Sequence, residues 1–182
     1  MVSIPRGSMG NDGMPARIAL VGYRGSGKTS IGVALAHALG WRFIDTDAVV
    51  SEQEGGDIAR IFRERGEAYF RTKESEALIA SLTGTNVVIA TGGGIVESPD
   101  NRALLHGKAF TVYLSASVET LLSRIDGTDR PPLTGLPMKD EVRTVVERRM
   151  PYYREAAHAV VDTGQGTIDD AVSAIQRIVE GR

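Results

Sequence analysis

A chain of 182 residues, 42% of them hydrophobic, is long enough for one domain whose folding buries about 70% of the unfolded surface. With 21 Lys+Arg against 23 Asp+Glu and a pI near 5.9, it lacks the basic bias of a nonspecific nucleic-acid or anionic-membrane binder, so any polyanion it takes is expected to be small. The absence of cysteine excludes disulfides, thiolate metal sites and a thiol nucleophile, and three histidines leave little imidazole for zinc chemistry.

Residues 1–15 mix polar residues and glycine without an apolar period and read as a disordered tail. Within it, Pro5-Arg6-Gly7-Ser8-Met9 has the look of an engineered protease-site remnant, which leaves Met9 or Met14 as the natural start. No apolar run reaches the length of a membrane span and no leader pattern opens the chain, so a cytoplasmic location is expected.

From residue 16 short apolar runs alternate with helical segments. Residues 18–21 form a buried strand, and 26–39 a helix with Ile31, Leu35, Ala38 and Leu39 on one face and Gly40 as its stop. A second strand follows at 41–44. Helical spacing runs over 58–82 with a break at Gly66, and a third strand at 86–90 leads into Thr91-Gly92-Gly93-Gly94. Ser98-Pro99 reads as an N-cap and first helical residue. A fourth strand at 110–114 precedes a helix over 118–124. Residues 126–139, rich in Gly, Pro, Thr and Asp, form a loop of functional length. A helix over 140–149, a weak fifth strand at 159–161 and a closing helix over 168–179 complete the chain. This alternation predicts one α/β domain over 16–182, with a parallel sheet covered on both faces.

Glycine exceeds its usual ~7% share, and motifs account for part of the excess. Gly22-Tyr23-Arg24-Gly25-Ser26-Gly27-Lys28-Thr29 follows the first strand and satisfies G-x-x-x-x-G-K-[ST] in its strand-loop-helix setting. Such a loop turns consecutive N–H groups inward while the following helix points its positive dipole end at the same spot, which suits a triphosphate. Gly25, Ser26, Gly27, Lys28, Thr29 and Ser30 are therefore expected to bind ATP, with Lys28 at the β- and γ-phosphates and Thr29 on Mg2+. A GTP switch is disfavoured, because the lone Thr-Lys pair, Thr72-Lys73, has Ser75 where a guanine-reading motif needs Asp. The short chain leaves little beyond a nucleotide domain, which points to a small-molecule kinase.

Asp45-Thr46-Asp47 lies after the second strand, at the end of a parallel sheet where α/β proteins place ligands. Asp45 could hold a metal-bound water and Asp47 could accept a substrate proton; equally, Thr46 or Asp47 could cap a helix. Arg71 and Arg149 offer planar forks for a carboxylate, and Gly92, Gly93 and Gly94 let backbone approach a ligand, although a single arginine commonly sits on a solvated face. Phe62 and Phe70 fit a pocket wall or a core. Arg130-Pro131-Pro132-Leu133 fits an arginine-bearing lid or a proline-stiffened loop.

Taken together, these segments resemble the shikimate kinase family over residues 16–180. The residues that carry the resemblance are Gly-Ser-Gly-Lys-Thr at 25–29, Phe-Ile-Asp-Thr-Asp at 43–47, Ile-Phe at 61–62 and Gly-Glu-Ala-Tyr-Phe-Arg at 66–71. Thr-Gly-Gly-Gly at 91–94, Asp-Arg-Pro at 129–131 and Arg-Met-Pro-Tyr-Tyr at 149–153 continue it. The resemblance implies a nucleoside-monophosphate-kinase fold: three layers α/β/α, five parallel strands in order 2-3-1-4-5, and a mobile lid at about 126–139. It also implies Mg2+-assisted transfer of phosphate from ATP to the 3-hydroxyl of shikimate, on the route to chorismate and aromatic amino acids, by a monomer with no nucleic-acid or membrane partner. On the same grounds Lys28, Asp47 and Arg130 are catalytic and Asp45 assists the metal through water. Asp47, Arg71, Gly92, Gly93, Gly94, Arg149, Phe62 and Phe70 would hold shikimate, Glu74 would steady Arg71, and Arg124 would stack on adenine beside Arg130. The lid departs from the family's common Arg-Pro-Leu-Leu at Pro132. Rival readings are a gluconate or nucleotide kinase on the same fold, and a regulatory nucleotide binder; the latter would be expected to have lost Lys28, Asp47 or Arg149.

Overall fold

The computed structural model describes residues 14–125 and 137–181; the predicted lid with Arg130, Pro131 and Pro132, and most of the predicted tail, lie outside the described residues. In chain order the elements are β1 (Arg17–Val21), α1 (Lys28–Leu39), β2 (Arg42–Asp45), α2 (Thr46–Glu54), α3 (Ile58–Arg65), α4 (Glu67–Ser81) and β3 (Val87–Ala90). A 3-10 turn (Ile95–Glu97), α5 (Pro99–Lys108), β4 (Phe110–Ser115), α6 (Val118–Ile125), α7 (Met138–Ala156), β5 (Ala159–Asp162) and α8 (Ile168–Val179) follow. The strands are parallel in the order β2-β3-β1-β4-β5, as expected.

β1 shows why the sheet needs cover on both faces: its residues Ile18, Ala19, Leu20 and Val21 are all fully buried. Ile18 and Leu20 point to one side, where they meet Val112 and Leu114 of β4, Ile31 and Leu35 of α1, and Val172 and Ile175 of α8. Ala19 and Val21 point to the other and join Ile89, Leu78 of α4, Leu105 of α5 and Tyr153 of α7. Each wholly buried Leu or Ile contributes roughly 1.5–3 kcal/mol, so the central strand anchors the loops that leave its carboxyl end. Two smaller clusters serve the site more directly. Tyr23 packs with Leu121 and Ile125 of α6 and Val142 and Val145 of α7, while Val50, Ile61, Phe70 and Ala77 bind α2, α3 and α4 together. No helix among the described residues is long and apolar enough to cross a membrane.

Several boundaries differ from the sequence reading. Helix α1 starts at Lys28 rather than at 26, because Gly27 takes a left-handed cap conformation (φ 91°). Helix α2 was not predicted: it buries only Thr46 and Val50, too few residues to print a helical period. Its N-cap is neither Thr46 nor Asp47 but Asp45, whose Oδ1 accepts from the N–H groups of Asp47 (3.0 Å) and Ala48 (3.4 Å). Helix α7 begins at Met138, within the stretch read as loop, and runs on past Arg149 to Ala156 through Pro151. Burial of Tyr153 and Ala156 carries it over the hydrogen bond that the proline cannot make.

At the amino-terminal end of β4 and β5, His158 Nδ1 accepts from the Thr111 N–H at 3.0 Å, and the ring stacks on His106 at 4.3 Å. Burial, with His106 alongside, pushes the His158 imidazole down to about 4. The unfolded chain therefore binds the extra proton first, so stability should be lost as pH falls from about 6.5 towards 4. In His158→Asn, whose Oδ1 can still accept from Thr111, the fall in Tm between pH 7.5 and pH 5 should shrink. An unchanged fall would show that other groups govern acid unfolding.

Candidate active site

The first loop surrounds a cleft of about 530 Å3. Gly22 (φ 150°) admits no side chain, since a Cβ would stand 2.6 Å from the Leu114 carbonyl and 2.7 Å from Ser26 Oγ. Lys28 arches over the loop and donates from Nζ to the carbonyls of Gly22 and Tyr23, both at 2.9 Å, which holds the ammonium at the mouth of the N–H cradle. Thr29 Oγ1 donates to Asp45 Oδ2 at 2.9 Å, so one carboxylate links the start of α1 to the start of α2. At the far rim Arg124 donates from Nη2 to the Thr163 carbonyl at 2.6 Å and from Nη1 to that of Gly25 at 3.4 Å, while Thr163 Oγ1 donates to the Ser26 carbonyl at 3.1 Å. Gly25, Ser26, Gly27, Lys28, Thr29, Ser30, Asp45, Asp47, Gly93 and Arg124 all line this one cleft.

The three glycines after β3 form a strip against which Asp47, Glu74 and Arg71 are pressed. Thr46 Oγ1 accepts from the Gly92 N–H at 3.2 Å, fixing the first turn of α2 to the strip. Asp47 Oδ1 stands 2.6 Å from where a Cβ on Gly92 would be, and Glu74 Oε1 is closer still. Gly94 makes room in the same way for the Arg71 guanidinium, whose Cζ and Nη2 lie 2.6 Å from its missing Cβ. The nearest side-chain neighbour of Gly93's missing Cβ is Arg149, with Nη1 at 3.9 Å. Two arginines from two different helices therefore border one strip of bare backbone, beside the phosphate loop.

Each arginine is held by carboxylates. Arg71 donates from Nη1 to Glu74 at 2.8 Å and from Nη2 to Glu67 at 3.1 Å, with its guanidinium over the rings of Phe62 and Phe70. Burial works against its charge, but Glu74 and Glu67 outweigh that and raise its pKa. Arg149 is buried and donates from Nε to Glu97 Oε1 at 2.9 Å; Arg148 meets the same oxygen at 2.6 Å. Burial alone would raise the Glu97 carboxyl, yet Arg149 and Arg148 hold it below its ordinary value. Glu74 is the exception: burial lifts it to about 7 against the pull of Arg71, and Asp47 adds to the rise.

Of the two rings, Phe62 keeps some exposed surface, whereas Phe70 is buried in the α2–α4 cluster and reaches the site through the guanidinium that covers it. Arg130 lies outside the described residues. The sequence reading missed Glu97, Tyr153, Arg24 and Glu141. Tyr153 donates from its hydroxyl to the Gly93 carbonyl at 2.6 Å, and Arg24 of the phosphate loop pairs at 2.9 Å with the fully buried Glu141 of α7. Tyr153 stands inside the quoted Arg-Met-Pro-Tyr-Tyr stretch, and Glu97 three residues past the glycines, which are the only local signals for them. Nothing in the sequence pairs Arg24 with Glu141. Among the described residues no cluster of three or more His, Asp or Glu forms a ready metal site. The Thr29 hydroxyl and Asp45 carboxylate are hard oxygens at the phosphate end of the cleft, a donor set that suits an Mg2+ ion completing its shell with phosphate and water.

The family model for shikimate kinase matches residues 24–180. A shikimate kinase of Nitratidesulfovibrio vulgaris is 47% identical over 149 residues, spanning 80% of this chain and 85% of its own length. Shikimate kinase 2 of Sodalis glossinidius is 42% identical over 166 residues, covering 89% and 94% of the two chains. A solved structure of shikimate kinase from Acinetobacter baumannii in complex with shikimate is similar at a TM-score of 0.87 and 35% identity, over 91% of this chain and 93% of that one.

Proposed function

The chain belongs to the shikimate kinase family, and from that premise we propose that it transfers the γ-phosphoryl group of ATP to the 3-hydroxyl of shikimate, giving shikimate 3-phosphate and ADP. The observation that carries the acceptor assignment is the pair of carboxylate-steadied arginines, Arg71 and Arg149, set along a glycine strip next to the phosphate loop. Two fixed guanidinium forks there suit a small carboxylate-bearing alcohol.

In this reading the loop N–H groups and Lys28 take the phosphates, and Arg71 and Arg149 grip the shikimate carboxylate while backbone at Gly92, Gly93 and Gly94 lies along the ring with Phe62. Asp47 receives the proton of the hydroxyl as its oxygen bonds to the γ-phosphorus and the bond to the bridging oxygen of ADP breaks. Thr29 and Asp45 would hold Mg2+, which when bound would supply charge neutralisation at the phosphates. Arg124 borders the adenine end. Arg130 keeps the lid role implied by the resemblance. One chain supplies every group named, in keeping with a monomer, and the cytoplasm is the place proposed for it.

An ADP-release assay with shikimate, gluconate, AMP and CMP as acceptors tests the assignment, shikimate alone being expected to support turnover. Arg71→Ala should raise KM for shikimate by about tenfold to a hundredfold, the scale of a lost charge-assisted contact. Unaltered shikimate kinetics in that variant, or turnover that follows another acceptor, would overturn it.

A further inference from the structure

Glu74 is 1% exposed, and its two oxygens live in different surroundings. Oε2 accepts from Arg71, whereas Oε1 accepts no hydrogen bond among the described residues. Oε1 is pressed against Gly92 together with Asp47 Oδ1, and their positions around the missing Cβ keep the two oxygens within about 5 Å, the range over which like charges oppose ionisation. The charged groups facing Glu74 are Arg71 on its own helix, Asp47 on α2 and Arg149 on α7; Glu67 draws on the other side of Arg71.

The bond from Arg71 is thus the direct contact that keeps a negative charge on Glu74 against burial and against Asp47. In the acceptor reading, Arg71 is also the group that receives the substrate carboxylate. An anion arriving there divides the attraction of Arg71 and adds a further like charge to the pocket. We propose that docking of the acceptor carboxylate on Arg71 drives a proton from solvent onto Glu74 Oε1, so that capture of the acceptor is coupled to proton uptake. The inference rests on the assignment of shikimate as acceptor. The proton taken up offsets part of the incoming carboxylate's charge, so the site admits its anionic substrate with a smaller gain of net negative charge beside Asp47 and the γ-phosphate. Glu74 is then a positioning residue with a proton-accepting duty. Because burial raises the Glu74 carboxyl to about 7, a modest push protonates it at neutral pH.

Titration calorimetry of shikimate into the intact chain, without ATP, in buffers of differing ionisation enthalpy tests the coupling. At about pH 7.5 the apparent enthalpy should vary with the buffer, reporting uptake of a fraction of a proton per shikimate bound, and the dependence should vanish near pH 5, where Glu74 is already protonated. Glu74→Gln keeps an oxygen for Arg71 and should bind shikimate with no buffer dependence. Binding without proton uptake in the wild type, or the same uptake in Glu74→Gln, would overturn the proposal. If Glu74→Gln does not fold, wild-type uptake that persists unchanged to pH 5 overturns it alone. Absence of any shikimate binding is a distinct result, which removes the acceptor assignment and this inference with it.

Discussion

Asp47→Asn should lower kcat by roughly 10^2–10^4 while leaving KM for shikimate within about an order of magnitude, the range expected when a proton acceptor is lost but its shape is kept. The side chain stands in the first turn of α2, where the Asp45 cap and the Thr46 bond to Gly92 fix the backbone on either side of it. An amide in the same place can occupy the same space against Gly92 and can still bond a hydroxyl, but it has no basic oxygen for the departing proton. Initial-rate kinetics with both substrates varied will separate the two effects. If kcat and shikimate affinity fall in equal measure, Asp47 orients the hydroxyl and the proton leaves by another route.

Gly92→Ala, which adds a single methyl group, should damage stability and catalysis together. Its Cβ would stand 2.6 Å from Asp47 Oδ1 and closer to Glu74 Oε1, well inside the 3.0 Å that real Cβ atoms essentially never breach. Gly92 is not among the residues with positive φ, so the effect is steric and not conformational. Either both carboxylates move, and Arg71 moves with Glu74, or the glycine strip does. Overpacking of this kind costs about 1–3 kcal/mol in stability. A displacement near 1 Å at the reacting groups costs about 10^2 in rate, so kcat/KM should fall by at least that much. Gly93→Ala is the internal control for folding, since its Cβ would meet neighbours at ordinary distances of 3.5–3.9 Å. Its Tm should stay near that of the wild type while that of Gly92→Ala drops. A Gly92→Ala protein with wild-type kcat/KM would show that the carboxylates are not confined as the structure places them.

The parts of the fold legible in the sequence are those whose cause is local. The phosphate loop is a contiguous motif between a strand and a helix, Gly66 breaks its helix with φ 83°, and Ser98-Pro99 starts α5 as its chemistry dictates. Asp47, Arg71 and the three glycines could be named because they lie in short, recognisable runs, but their meeting point could not. Gly92 stands 46 positions from Thr46, Tyr153 lies 60 from Gly93, and Arg24 lies 117 from Glu141. Such contacts depend on how helices dock on the sheet, which no window of sequence records. Helix α2 escaped notice for a related reason: its order comes from a cap and from packing on α4 through Val50, not from a run of apolar residues. The strand order came from family resemblance, not from periodicity.

The divided duty of Asp45 changes what a mutation there can teach. One oxygen caps α2 and so sets where Asp47 stands, while the other receives the Thr29 hydroxyl at the phosphate end. A variant at Asp45 is therefore a confounded experiment: a fall in activity on removing the carboxylate reports helix registration and the proposed metal role together. Only a pair of substitutions can disentangle them. Asn, which retains a capping oxygen, keeps the helix start, and Ala removes both functions, so the difference between the two reports registration while the defect left in Asn reports the charge.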